Sequence, residues 1–216
     1  MPLARFDKIE PEKRQRILQA AAQEFAAVGF EKASLGRIAE GAGVSKPALY
    51  YYFEDKADLY TTVVRAAWER LSPERQLDVA SLDRDSFWPA LERLLEGNVA
   101  LCREEPWLVA VGKLAYHPPR EGVAAGVVVK MFEDAQAFQR GLLRRGQELG
   151  TVRNDLPEEL LIAMLTAADT AADHWMVDHW EELGQEEAER IARRVFRAIR
   201  ALMSPSPGTA GGEGAA

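Results

Sequence analysis

A chain of 216 residues exceeds the usual size of one compact domain and suits a small domain followed by a larger one. Its single cysteine, Cys102, excludes an intramolecular disulfide framework and fits a reducing cytoplasm, and no apolar run approaches the roughly 20 residues that would span a bilayer. The net charge of −7 is unevenly spread: residues 1–56 hold nine Lys/Arg against eight Asp/Glu, so the acidic excess falls entirely in the remainder.

In chain order, residues 1–10 read as a flexible arm, in which Arg5 and Lys8 could touch phosphates or the minor groove but a solvated terminus is the expectation, and whose first residues have neither the form of a signal peptide nor that of an anchor. From Pro11 a helix is expected to about Val28, with Ile17, Leu18, Ala21, Ala22 and Phe25 on one apolar stripe and Gly29 as its stop. Residues 34–53 then read as two short helices joined by a glycine turn. Ser34 can cap the first, whose buried face is Leu35, Ile38 and Ala39. Gly43 suits the left-handed residue of the turn, Ser45 caps the second helix, and Pro47 sits in its first turn where a missing N–H breaks no bond.

Leu49 and Phe53 share the inner face of that second helix, which leaves Lys46, Pro47, Ala48, Tyr50 and Tyr51 to point elsewhere. A helix-turn-helix offers the start of its second helix to the DNA major groove. Ser34, Arg37, Ser45, Lys46, Pro47, Ala48, Tyr50, Tyr51 and Lys56 are therefore the expected DNA-binding residues. The tyrosines would hold phosphate oxygens, Arg37 would reach from the first motif helix, and Lys56 would clamp the backbone beside the next helix N-terminus. Asp55 caps that next helix, which is expected to run through Tyr60, Val63, Val64, Ala67 and Trp68 to about Ser72 and to join the two domains.

The run from Arg16 to Tyr60, with Phe25-Ala-Ala-Val-Gly-Phe30, Ala42-Gly-Val-Ser-Lys46, Leu49-Tyr-Tyr-Tyr-Phe53, Lys56 and Leu59, resembles the DNA-binding domain of the tetracycline-repressor-like (TetR) family of bacterial transcriptional regulators. The resemblance implies an all-α homodimer with an N-terminal three-helix helix-turn-helix domain and a C-terminal helical domain that binds a small effector and dimerises. The expected organisation is an arm over 1–10, a DNA-binding domain over 11–56, an effector-binding and dimerisation domain over 57–203, and a disordered tail over 204–216, which lacks core-forming side chains.

Within the larger domain, apolar spacing predicts helices at about 85–104, 107–116, 120–149, 155–183 and 186–203, with His117-Pro118-Pro119 as a turn. By resemblance, the effector would lie among the middle helices, against Trp88, Leu91, Leu95, Trp107, Val111, Leu114, Tyr116, Phe132, Phe138, Met164, Asp169, Asp173, Trp175 and Met176. That wall suits a hydrophobic or aromatic molecule, with an acyl chain as one option. Ala163, Ala167, Ala168, Ala171 and Ala172 give one helix a small-residue surface, and Ile191, Val195, Ile199 and Leu202 give the last a nearly heptad seam. Both are expected at the dimer interface.

A metal site is not expected, since His174 and Asp178 share a face but no second cluster has ligand spacing. The competing function class is a Cys/His enzyme. Cys102 lacks a nucleophile-type turn, and no glycine-rich phosphate loop occurs, so no catalytic residue and no cofactor are assigned. The resulting expectation is a cytoplasmic, non-enzymatic homodimeric repressor, released from a palindromic double-stranded DNA operator by a small effector. An activator or an effector-independent regulator is the alternative.

Overall fold

The computed structural model describes residues 5–72, 76–116, 118–119 and 122–205. Residues 1–4 of the expected arm, His117 of the turn and residues 206–216 of the expected tail lie outside them. Among the described residues the protein is all-helical, and the chain divides into two compact units. One comprises 1–72, 101–133 and 177–180; the other comprises 73–100, 134–176 and 181–216, so the division falls inside three of the longer helices.

The first unit opens with α1 (Pro11–Lys32), which has a proline in its first turn and buries Ile17, Leu18, Ala21, Ala22 and Phe25 along one face. Gly29 leaves helical geometry at φ +76°, the left-handed region open to glycine, and one further turn follows it before Ala33. The sequence expectation of a stop at Gly29 locates the break but not that extra turn. Next come α2 (Leu35–Gly41), α3 (Lys46–Tyr52) and α4 (Lys56–Leu71), each preceded by a residue whose side chain accepts a helix amide: Ser34 from Gly36, Ser45 from Ala48 and Asp55 from Asp58. Gly43, at φ +65°, turns the chain between α2 and α3.

Ile17, Phe25, Ile38, Leu49, Phe53, Leu59 and Val63 form one buried cluster. Trp107, Leu108, Val111 and Leu114 of α6 (Trp107–Tyr116), the helix after α5 (Phe87–Glu104), belong to that same cluster. The three-helix core expected for the head is thus closed by further helices, because α1 carries too wide an apolar face for α2 and α3 to cover. Residues 5–10, expected as an arm, are also drawn in. Phe6 is fully buried, with ring centroids 4.7 Å from Phe53 and 6.0 Å from Tyr52.

The second unit is built from most of α5, the later part of α7 (Gly122–Glu148), most of α8 (Glu158–His179) and α9 (Gln185–Met203). Its core holds Leu82, Phe87, Trp88, Leu143, Val152, Leu161, Ile162, Phe196 and Met203. Gly150 ends the α7 region at φ +68°, and the backbone amide of Arg153 donates to the carbonyl of Met203 at 2.8 Å, tying the loop after α7 to the end of α9. The helix expected to reach Leu183 ends at His179, and Trp180 beyond it is buried under the Arg103 guanidinium, 4.1 Å from the ring centroid.

Candidate nucleic-acid interface

The turn after Gly43 delivers α3 with two unlike faces. Leu49 is buried on the inner one and Tyr52 follows it inward, its hydroxyl accepting from Lys13 Nζ at 3.2 Å. Ser45, Lys46, Pro47, Tyr50 and Tyr51 are exposed and Ala48 is half-buried, with Tyr50 and Tyr51 retaining 51% and 52% of their surface. Neither Tyr50 nor Tyr51 belongs to the buried cluster, and the Tyr51 ring meets Tyr52 edge-on with centroids 5.2 Å apart.

Two cations expected at DNA are already engaged. Arg37 grips Glu24 of α1 with Nε at 2.8 and 3.0 Å from the two carboxylate oxygens, and its Nη2 also donates to the Lys32 carbonyl at 3.2 Å. The same carboxylate accepts the Ser34 amide at 2.9 Å, so Glu24 fixes the start of α2 as well. The Arg37 hydrogen bonds hold the Glu24 carboxyl below the ordinary range, against the opposing effect of burial. Lys56 Nζ donates to the carbonyls of Glu31 at 2.8 Å and Ala33 at 3.3 Å and lies 4.8 Å from the Phe30 ring centroid. It therefore satisfies acceptors at the carboxyl end of α1, where the helix leaves them unpaired and the dipole favours a cation. Glu24 was not found by sequence reasoning, and only its spacing from Ser34 and Arg37 across the end of α1 could have signalled it.

The expected effector residues fall into both units. Trp107, Val111 and Leu114 are core of the first unit, where Tyr116 is half-buried and Phe132 exposed. In the second, Trp88 is buried with Leu91 and Leu95 packed on its cluster, Phe138, Met164 and Met176 are half-buried, and Trp175 is exposed. Asp169 is half-buried and accepts from Gln139 Nε2 at 3.0 Å, while Gln139 Oε1 accepts from the Thr166 hydroxyl at 2.8 Å. Asp173, four residues on, is exposed, with protein close to its carboxyl on the side towards Asp169. Desolvation, reinforced by the Asp169 charge, pushes its carboxyl up to about 7. Gln139 and Thr166 were missed because a single helix pattern does not show which polar residues face one another.

Of the residues expected at a dimer contact, Ala163, Ala167 and Ala171 are exposed, Ala168 and Ala172 half-buried, and the exposed Leu160 and Trp175 extend the α8 surface. On α9 the buried face is Ala188, Ala192, Phe196 and Met203, while Ile191, Val195, Ile199 and Leu202 are half-buried beside it. Among the described residues no group of three or more His, Cys, Asp or Glu could hold a metal ion, and no helix is long and apolar enough to cross a membrane.

Residues 17–63 match the family model described as bacterial regulatory proteins, tetR family. The HTH-type transcriptional repressor BepR of Brucella suis is 29% identical over 201 residues, covering 90% of this chain and 94% of BepR. The HTH-type transcriptional activator FasR of Mycolicibacterium smegmatis is 43% identical over 54 residues, a quarter of each chain. The structure of SmeT, repressor of the Stenotrophomonas maltophilia multidrug efflux pump SmeDEF, superposes with a TM-score of 0.70 at 20% identity, covering 94% of both chains.

Proposed function

This chain belongs to the TetR family of bacterial transcriptional regulators, and we propose that it acts as a homodimeric repressor released from a palindromic operator by a small hydrophobic or aromatic effector. The exposed face of α3, with Ser45, Lys46, Pro47, Tyr50 and Tyr51 held outward by the burial of Leu49, carries the DNA-binding part of this reading. Lys46 and the tyrosine hydroxyls supply phosphate contacts, and docking two such heads on half-sites about 34 Å apart supplies specificity. The half-exposed seam of α9 and the small-residue surface of α8 are the surfaces that pair. Repression is favoured over activation by BepR, a repressor matched along most of its length, whereas the match to the activator FasR is confined to a short segment.

The effector enters beside Asp169 and Asp173. These two carboxyl groups, one accepting from Gln139 and the other raised to about 7, are the polar groups offered to the head of a hydrophobic effector. Selection of bound duplexes from a random pool tests the operator. A palindromic consensus with half-sites about one helical turn apart is expected, and no enriched sequence from effector-free protein would overturn the proposal. Gel-shift titration of that operator against hydrophobic compounds tests release: a set that spans neutral, cationic and anionic members and leaves affinity unchanged would refute effector control.

A further inference from the structure

The proposed reading leaves the DNA-facing side short of cations, since Arg37 is bound to Glu24 and Lys56 to backbone carbonyls. The segment before α1 supplies one. Phe6, in a single turn of 3-10 helix over Phe6–Lys8, is fully buried against Phe53 and Tyr52, and the Arg14 guanidinium lies 5.5 Å from its ring centroid. That anchor fixes the residue before it. The Arg5 guanidinium lies 4.2 Å from the ring centroid of Tyr51, the exposed tyrosine of α3, and Arg5 has no hydrogen-bonding or ion-pairing side-chain partner among the described residues.

We infer that Arg5 is a DNA phosphate contact, placed on the interface by the burial of Phe6 and by stacking on Tyr51. A guanidinium lying over an aromatic ring spends its face and keeps its planar edge of N–H donors free, and that edge matches two phosphate oxygens. The neighbouring Tyr51 hydroxyl is exposed on the same surface, so cation and hydroxyl form one backbone clamp at the far end of α3 from Lys46. A loosely held terminal arginine would give up conformational freedom on binding. Here the anchor has already restricted it.

This inference rests on the DNA-binding reading, and its test separates the two. The affinity of the full chain for a 30-base-pair duplex of its selected sequence is measured from 50 to 200 mM salt for wild type, Arg5→Gln, Arg5→Lys, Phe6→Leu and Phe6→Ala. Absence of wild-type binding would sink the DNA-binding reading itself. With wild type bound, Arg5→Gln is expected to lower the magnitude of the log–log salt slope by about 1.8, the signature of one lost phosphate neutralisation in each of the two heads, and Arg5→Lys to restore most of it. A wild-type slope in Arg5→Gln overturns the contact. Since Arg5 is exposed, that variant keeps its fold, which helical circular dichroism checks. Phe6→Leu, still anchored, should keep the wild-type slope, while Phe6→Ala should lose about 1.8 over the two heads although Arg5 is present. Equal slopes in these two folded variants would overturn the positioning role.

Discussion

Replacing Lys56 with alanine separates a phosphate clamp from an internal tie. The ammonium donates to Glu31 O at 2.8 Å and to Ala33 O at 3.3 Å, one good bond and one marginal. A hydrogen bond from a charged donor contributes about 1.5–3 kcal/mol when enclosed, and Lys56 is only half-buried, so a loss of about 1–2 kcal/mol is expected. The salt slope should stay at its wild-type value because the charge removed serves the protein's own carbonyls. Lys46→Ala is the opposite case. Its exposed side chain at the start of α3 should give up about 1.8 of slope over the two heads, roughly a twelvefold change in relative affinity between 50 and 200 mM salt, with no shift in urea midpoint. Urea unfolding followed by circular dichroism and the salt titration together give both quantities for both variants. A Lys56→Ala protein with wild-type stability and a slope lowered by about 1.8 would refute the internal tie and make Lys56 a phosphate contact in each head.

Three further substitutions test the second unit. A Cβ on Gly146 would lie 2.3 Å from Val152 Cγ2 and 2.8 Å from Phe87 Cζ, whereas one on Gly141 of the same helix meets nothing within 4 Å. Gly146→Ala should therefore lower stability by about 1–3 kcal/mol despite better helix propensity, and Gly141→Ala should raise it by about 0.5–1; urea midpoints moving in the same direction would refute the packing. Asp173, with its carboxyl at about 7 in the fold against an ordinary 3.8, retains its proton where the unfolded chain has released it. Stability from this group is thus present below pH 4 and lost as pH rises towards 7, and Asp173→Asn should flatten the change in thermal midpoint between pH 5 and 8. An unchanged pH dependence would show that the group is not desolvated.

The head was readable because its signals are local. Ser34, Gly43, Ser45, Pro47 and Asp55 act within a few residues of themselves, and each occupies the cap, turn or first-turn position its chemistry favours. What was not readable depends on long-range pairing. Glu24 meets Arg37 across thirteen positions and Lys56 reaches Glu31 across twenty-five, distances over which periodicity says nothing. Phe6 was hidden for a related reason: a lone aromatic in a short polar segment looks like a terminus until Tyr52 and Phe53 form a place for it. On α9 the heptad spacing identified one apolar seam but not the face carrying Ala188, Ala192 and Phe196, because a helix with a wide apolar arc does not reveal which half it gives to its own core.

Regulation requires that a change outside α2 and α3 alter how they meet DNA, and the core of the first unit provides the connection. Trp107, Leu108, Val111 and Leu114 of α6 share one buried cluster with Ile17 and Phe25 of α1, Ile38 of α2 and Leu49 of α3. A close-packed cluster transmits displacement because it cannot absorb it in voids. α6 in turn meets the end of α8 at a tight point, where a Cβ on Gly112 would sit 3.0 Å from Val177 Cγ2. Val177 is β-branched and stiff at its first torsion, so Gly112→Ala must move helices by a few tenths of an ångström rather than rotate a side chain. The gain in helix propensity, under about 1 kcal/mol, offsets the crowding, so stability should change little. Operator affinity of the effector-free protein should nevertheless shift by about fivefold, the lower end of ordinary coupling energies, although Gly112 lies far outside the α2–α3 motif in sequence. Wild-type affinity in this variant would mean that α6 is a passive part of the core.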